Sequence, residues 1–284
     1  MVKHTKGIVI TTSLAVLFFA TSLTAFADNT TTATTAPYTL KNLNEQTVMG
    51  LVWMQNAAEY RELCYQAYNV AGMMVDRAVT SQKAGDKPLA IVADLDETLI
   101  DNSAYDAGLV GRDAAYSSKT WTEWEKAALA KAMPGAADFL KSVAAKGVQV
   151  FYVTNRDQAG FEGTIANLEK LGYPFADADH LLVQTASGDK QARFDAIAKR
   201  FNVVVYMGDN ANDLPIGTYG KSQQERNALV DQHRAEFGSK FIALPNPVYG
   251  DWEGALAKGY WGLSPRGKDE ARKATLSTWV PPQN

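Results

Sequence analysis

One apolar run that ends in two aspartates constrains this chain more than any other feature of its sequence. The run, Leu89 to Ala93, has no polar alternation, which is typical of a strand buried on both faces of a parallel sheet. Asp94 and Asp96 follow it, and in extended backbone residues two apart point to the same side. Because open α/β sheets bind ligands at the carboxyl ends of their strands, we expect a two-carboxylate site here. A solvated acidic turn is the alternative interpretation of this stretch alone.

Strands and helices alternate along the rest of the chain. The further predicted strands cover 148–153, 181–183 and 203–207. One predicted helix begins at Ala136, a second passes through Leu168, and a third spans Gln191 to Phe201. This alternation indicates an α/β fold with a central parallel sheet and right-handed crossovers.

Polar residues follow several of these elements. Thr154 and Asn155 end one strand, Lys190 lies in a loop, and Asp209 and Asp213 follow the most β-prone run. The carboxyl ends of parallel strands share one edge of a sheet, so we expect these groups to converge with the first two aspartates.

The residue types in this group favour one chemistry. Carboxylates without histidine suit a hard cation such as Mg²⁺, and a hydroxyl, an amide and a lysine beside it suit a phosphoryl group. One aspartate can attack phosphorus, while a second gives a proton to the leaving oxygen. The sequence therefore predicts phosphate-ester hydrolysis.

The same residues carry a family resemblance. Asp94-Leu-Asp96-Glu-Thr98 resembles the D-x-D-x-T nucleophile motif of the haloacid dehalogenase superfamily, and Thr154, Lys190 and Gly208-Asp209-x-x-x-Asp213 resemble its later motifs in order. With Asn102-Ser-Ala-Tyr105, Tyr206-Met-Gly-Asp209-Asn210 and the segment 244–253, the chain is similar to the bacterial class C acid phosphatases. These are non-specific acid phosphatases or secreted 5′-nucleotidases, named for four aspartates. The resemblance extends from about Leu51 to Leu256 and implies a Rossmannoid core with a small helical cap.

The resemblance implies roles for the four aspartates. Asp94 is the nucleophile and a Mg²⁺ ligand, and Asp96 is the general acid/base that binds the metal through its backbone carbonyl. Asp209 is the third protein ligand, and Asp213 supports the metal shell.

It also implies a substrate pocket. Thr154 and Lys190 hold the phosphate, and Trp121 and Tyr249 match aromatic positions that receive a nucleoside base. Asn155 and its neighbour Arg156 are candidates to shape the phosphate pocket, although a surface ion pair is an equal interpretation of Arg156. Trp121 and Trp124 lie three residues apart, so a core stripe is the alternative for either.

The chain divides into segments of different character. Lys3 and Lys6, an apolar run and Ala25-Phe26-Ala27 predict a secretory signal peptide over 1–27. We expect a leader over 28–39, N-terminal helices of the cap over 40–86, and the phosphatase core over 87–262 with a cap insertion around 102–133. Residues 263–284 form a C-terminal tail.

Composition limits the partners and the compartment. Without Lys3 and Lys6 the chain has 26 basic and 31 acidic residues, which is unfavourable for binding nucleic acid. No cysteine that could carry a lipid follows the apolar run. We expect a periplasmic or secreted protein with small phosphorylated substrates and no stable membrane anchor, which could form a homodimer.

Several residues have structural interpretations. Cys64 lies in a helical apolar stripe with Tyr60, Leu63, Ala67, Tyr68 and Ala71, so we expect it to be buried. We expect His180 and His233 at the surface. The alternative function is a non-catalytic binding or storage protein on the same fold.

Overall fold

The computed structural model describes residues 37–281, and the predicted signal peptide and most of the predicted leader lie outside the described residues. A parallel sheet has the spatial order β5-β4-β1-β6-β7, and a small antiparallel pair joins β2 to β3. The strands are β1 (Leu89–Ala93), β2 (Ile100–Asp101), β3 (Lys131–Ala132), β4 (Gln149–Val153), β5 (Leu181–Leu182), β6 (Asn202–Gly208) and β7 (Phe241–Ala243).

Helices cover both faces of this sheet. In the described residues they are α1 (Leu40–Asn44), α2 (Val48–Asn56), α3 (Ala58–Ser81), α4 (Ser103–Ala107), α5 (Ser118–Ala127), α6 (Ala136–Ala145), α7 (Phe161–Lys170), α8 (Gln191–Arg200), α9 (Gln223–Gln232), α10 (Asp251–Gly254) and α11 (Pro265–Ala274). None of the helices within 37–281 is both long and apolar enough to cross a membrane.

The central strand is buried on both faces, as its unbroken apolar run predicts. Ile91 and Ala93 pack in the larger core cluster with α3 and α6, whereas Ala90 and Val92 pack in a second cluster with Phe194 of α8. Every residue of β1 is buried. The buried strand therefore ends at Ala93, and the next residue, Asp94, lies at the edge of the sheet.

The structure corrects some details of the sequence analysis. Leu63 is exposed at the margin of the α3 stripe, although Cys64 beside it is fully buried as predicted. The segment 102–133 reads as strand-free in sequence, yet Lys131–Ala132 pairs with Ile100–Asp101. The predicted tail contains α11, in which Asp269 accepts a hydrogen bond of 2.5 Å from Gln46.

His180 is half-buried rather than fully exposed at the surface. Its ring packs between Phe151 and Phe175, and its Nδ1 and Nε2 lie 2.7 Å from Asp177 and 2.9 Å from Gln149. An aromatic pocket and two polar partners allow this ring to leave solvent, which its polar sequence neighbours did not indicate. His233 is half-buried.

Candidate active site

Three carboxylates meet at the carboxyl edge of the sheet. Asp94 follows β1, Asp209 follows β6, and Asp213 ends the short turn after it. One oxygen from each lies within 4.8 Å of the others. Lys190, the residue that precedes α8, pairs with Asp94 and lies 2.7 Å from Asp213. The topology thus brings together four of the predicted site residues.

Burial shapes the charge of this cluster. It raises the pKa of Asp94 to about 7, against the opposing effect of Lys190, and Asp213 adds to the rise. Burial and the neighbouring Asp213 and Asp94 also raise the pKa of Asp209 well above its usual range. Burial opposes the charge of Lys190, yet Asp213 and Asp94 together raise its pKa above the ordinary value. The cluster therefore favours additional positive charge.

Neutral groups orient the carboxylates. Thr98 Oγ1 lies 3.3 Å from Asp94 and 3.1 Å from Asp209, so this hydroxyl bridges the two strand ends. Asn246 donates to Asp209 Oδ2 at 2.8 Å. Gly208 is needed for the close approach of the turn, because a Cβ there would lie 2.1 Å from the Cβ of Asp213.

A second layer of polar side chains holds the turn that carries Asp213. The Asn210 backbone N–H donates to Asp213 Oδ2 at 2.9 Å. The side chains of Asn210 and Asn212 donate to Asp251, and both accept hydrogen bonds from Arg226. These contacts fix the turn from the side away from the cluster.

The residues of the cluster fit a hard divalent cation. Their ligand atoms are carboxylate oxygens, without histidine nitrogen or cysteine sulfur, which is the donor set that Mg²⁺ prefers. Three carboxylates outnumber the single Lys190, so a divalent ion would balance their charge. This fit to a divalent cation is judged from the donor atoms of Asp94, Asp209 and Asp213.

Asp96 faces a different set of partners. Its Oδ1 accepts from Arg156 NH2 at 2.8 Å and from Asn102 Nδ2 at 2.8 Å. Its Oδ2 lies 3.3 Å from Thr154 Oγ1. The Asp96 carboxyl group is thus separate from the carboxylate cluster, and Arg156 is buried against it rather than paired at the surface.

Asn155 is the predicted site residue whose side chain the structure directs away from the cluster. It is exposed, donates to the Gly188 carbonyl at 2.9 Å and accepts from Arg193 NH2 at 2.7 Å. Arg193 also donates to the Thr154 carbonyl at 2.5 Å. These contacts brace the loops around Thr154 and Lys190.

An aromatic cluster lies beside Asp96. The ring of Trp121 packs edge-on against Tyr105 at 4.9 Å and lies 5.8 Å from Tyr116, which is exposed. The guanidinium of Arg156 lies 5.7 Å from the same ring. Trp124 has the structural role instead, because its Nε1 donates to Asn102 Oδ1 at 2.8 Å and its ring packs on the core.

Tyr249 is anchored through its hydroxyl group, which donates to Glu97. Glu97 is fully buried and adopts a left-handed backbone conformation with φ 54°, which non-glycine residues rarely adopt. It also accepts from the Asn102 backbone N–H at 2.7 Å. The half-buried Tyr249 ring is therefore held by the loop that joins Asp96 to β2.

Comparisons with known proteins agree with this geometry. A family model described as the haloacid dehalogenase superfamily, subfamily IIIB (acid phosphatase), matches residues 8–252. Two solved structures of the class C acid phosphatase from Bacillus anthracis, one with tungstate bound, are 39% identical to this chain. Each match covers 84% of this chain and 99% of the other, with TM-scores of 0.80 and 0.79. The chain belongs to the class C acid phosphatases. It is a phosphomonoesterase with a haloacid dehalogenase fold, and the predicted family, fold class and enzyme class are confirmed.

The sequence motifs of this acid phosphatase do not include all of its site. Arg156 was already a candidate for the phosphate pocket. Glu97 lies within the quoted D-x-D-x-T motif and Asn246 within the quoted segment 244–253, so their positions in the motifs were available signals. The sequence does not mark Arg193 or Arg226 in a comparable way, because their hydrogen-bond partners come from other loops.

Proposed function

We propose that this class C acid phosphatase hydrolyses phosphomonoesters with Mg²⁺ and forms an aspartyl-phosphate on Asp94. The observation that carries the proposal is the juxtaposition of Asp94, Asp209 and Asp213 with Lys190 at one edge of the sheet. Bound Mg²⁺ would neutralise the charge that develops on the phosphoryl oxygens. Asp94, Asp209 and Asp213 would hold it, with the backbone carbonyl of Asp96.

The protein groups supply the remaining chemistry. An Asp94 oxygen forms the bond to phosphorus as the bond to the ester oxygen breaks, and Asp96 gives that oxygen a proton. Water then attacks phosphorus, Asp96 takes its proton, and Asp94 is released with free phosphate. Lys190 and Thr154 hold the phosphoryl group, and Asn155 shapes the loop beside it.

The substrate class follows from the aromatic cluster. Trp121 lies beside Arg156, the partner of the Asp96 carboxyl group that would protonate the leaving group, and its neighbour Tyr116 is open to solvent. Stacking on a nucleobase contributes about 1–3 kcal/mol per base. Nucleoside 5′-monophosphates are therefore the proposed substrates, with Trp121 and Tyr249 as the aromatic contacts.

The proposed compartment is the periplasm or the extracellular space. The N-terminal pattern with Ala25-Phe26-Ala27 supports export, cleavage after Ala27 and release without a lipid anchor. Mass spectrometry of the secreted protein is expected to give Asp28 as its first residue. A homodimer remains part of the proposal and is tested by light scattering of the same sample.

The central experiment compares two conservative variants on esters with good and poor leaving groups. Asp94→Asn is expected to abolish turnover of all esters in a folded protein, because an amide does not attack phosphorus. Asp96→Asn is expected to retain more activity on p-nitrophenyl phosphate, whose leaving group needs no proton. Normal turnover in folded Asp94→Asn would contradict the covalent mechanism.

Metal and oxyanion binding provide independent tests. Chelation is expected to abolish activity, and Mg²⁺ is expected to restore it. Tungstate, which the Bacillus anthracis relative binds, is expected to compete with substrate, since it resembles a phosphoryl group in shape and charge. Full activity after exhaustive chelation would contradict the metal dependence.

A further inference from the structure

Arg156 makes more contacts than it would need if it only lined the phosphate pocket. Its Nε and NH2 donate to Asp96 Oδ1 at 3.0 and 2.8 Å, and its NH1 donates to Thr164 Oγ1 at 3.0 Å. NH2 also donates to Asn102 Oδ1 at 3.2 Å. The ring of Trp121 lies 5.7 Å from the same guanidinium, so Arg156 is held from several sides.

Glu125 is a second carboxyl group at the same guanidinium. Its side chain is 0% exposed, and its Oε1 lies 3.8 Å from Arg156 Nε. Neither oxygen accepts a hydrogen bond of good geometry among residues 37–281, although the nearby Trp121 side chain acts to lower its pKa. A buried carboxyl group without hydrogen bonds is costly. Within the described part of the chain, Arg156 is the cation that lies within 4.0 Å of it.

The backbone leaves room for this carboxyl group. A Cβ at Gly160 would lie 1.8 Å from Glu125 Oε2, and a Cβ at Gly163 would lie 2.5 Å from the Glu125 carbonyl oxygen. Two glycines on neighbouring turns thus let α5 approach α7 closely enough to place Glu125 beside Arg156.

We propose that Arg156 and Glu125 are positioning residues, which together hold the Asp96 carboxyl group where it meets the leaving oxygen. This inference rests on the proposed role of Asp96 in proton transfer. It extends that role to two residues that act through Asp96 and are not proposed to contact the substrate.

The two residues have different tasks. Arg156 restrains both the place and the rotation of the Asp96 carboxyl group, because NH2 and Nε donate to Oδ1 and Nε also lies 3.3 Å from Oδ2. Glu125 lies 3.8 Å from Nε on the same guanidinium and gives it a second acidic neighbour besides Asp96.

The leaving-group dependence of hydrolysis distinguishes positioning from a general structural role. We would measure kcat/KM for p-nitrophenyl phosphate and for ethyl phosphate, whose alkoxide needs a proton to depart. The variants are Arg156→Lys, which keeps the charge but loses the fork, and Glu125→Gln, which keeps the size. Glu123→Gln on the exposed face of α5 is the matched control, and Asp96→Asn is the reference.

Arg156→Lys is expected to lower kcat/KM for ethyl phosphate about tenfold more than for p-nitrophenyl phosphate. This change is smaller than the loss expected when a general acid is removed altogether. Glu125→Gln is expected to shift the same ratio in the same direction by a smaller factor, and Glu123→Gln is expected to leave it unchanged. If Arg156→Lys does not fold, Glu125→Gln provides the test alone.

Two results would overturn different statements. Equal losses on both esters in Asp96→Asn would overturn the proposed acid role itself. A selective loss in Asp96→Asn, accompanied by equal losses or none in Arg156→Lys and Glu125→Gln, would overturn the positioning role and leave the proposed function intact.

Discussion

Replacing Glu125 with glutamine tests how the fold bears a buried acid that lies 3.8 Å from the Arg156 guanidinium and accepts no hydrogen bond from it. Burial raises the pKa of Glu125 from 4.5 to about 7, although Arg156 acts in the opposite direction. In the unfolded chain the carboxyl group titrates near its ordinary value. Between these two values the folded protein holds a proton that the unfolded chain has lost, so the free energy of unfolding falls as the pH rises.

The magnitude follows from the pKa difference. One pKa unit corresponds to about 1.4 kcal/mol, so the change from 4.5 to about 7 costs the wild type roughly 3 kcal/mol once the pH exceeds the folded value. Glutamine has the same size and does not titrate. The stability of Glu125→Gln relative to wild type is therefore expected to increase by roughly 3 kcal/mol from acid to mildly alkaline pH.

Urea unfolding at a series of pH values, followed by circular dichroism, measures this difference. Glu123→Gln removes an exposed carboxylate from the same helix, so it is expected to change the free energy of unfolding by less than about 0.5 kcal/mol. A constant difference between Glu125→Gln and wild type at all pH values would refute the reasoning, since it would mean that Glu125 titrates alike in the folded and unfolded states.

The remaining predictions concern the carboxylate cluster and the aromatic cluster. Asp209→Ala is expected to weaken the thermal stabilisation by Mg²⁺ and to be partly rescued by excess metal in activity assays, whereas Lys190→Ala is expected not to be rescued. Gly208→Ala is expected to destabilise the protein by about 1–3 kcal/mol, because the new methyl group meets Asp213 and the turn must move; calorimetry measures this. Trp121→Ala is expected to lower kcat/KM for a nucleoside 5′-monophosphate by roughly tenfold to a hundredfold and to spare a small sugar phosphate, and equal losses would mean that the ring is structural.

The main strands were predictable because their sequences are apolar runs without polar alternation. The runs of β1, β4 and β6 stop at polar residues, so their carboxyl ends could be located from sequence alone, although β6 is exposed at its first residue. The edge strand β7 (Phe241–Ala243) was not predicted, whereas the edge strand β5 was. Leu63 was assigned to the buried stripe because helical spacing does not show where the stripe ends.

The carboxylate cluster was predictable for a topological reason. Parallel strands direct their carboxyl ends to one edge, so Asp94 and Asp209 meet although they are far apart in sequence. The groups that orient these carboxylates were harder to predict from the sequence. Asn246 and Arg226 contact the site from loops whose paths depend on the packed core, and the pattern of apolar residues does not encode those paths.

The environment of Asp96 shows most clearly what sequence patterns omit. Arginine and glutamate are rarely buried unless they are paired, so the sequence leaves Arg156 open between the phosphate pocket and a surface ion pair and gives no role to Glu125. Their pairing requires α5 to approach α7, and the available signal is the pair Gly160 and Gly163 at the start of α7. Glycine inside a helix costs about 1 kcal/mol relative to alanine, and here the absence of Cβ atoms allows Glu125 to reach the guanidinium. The position of the Asp96 carboxyl group therefore depends on glycines that never contact it.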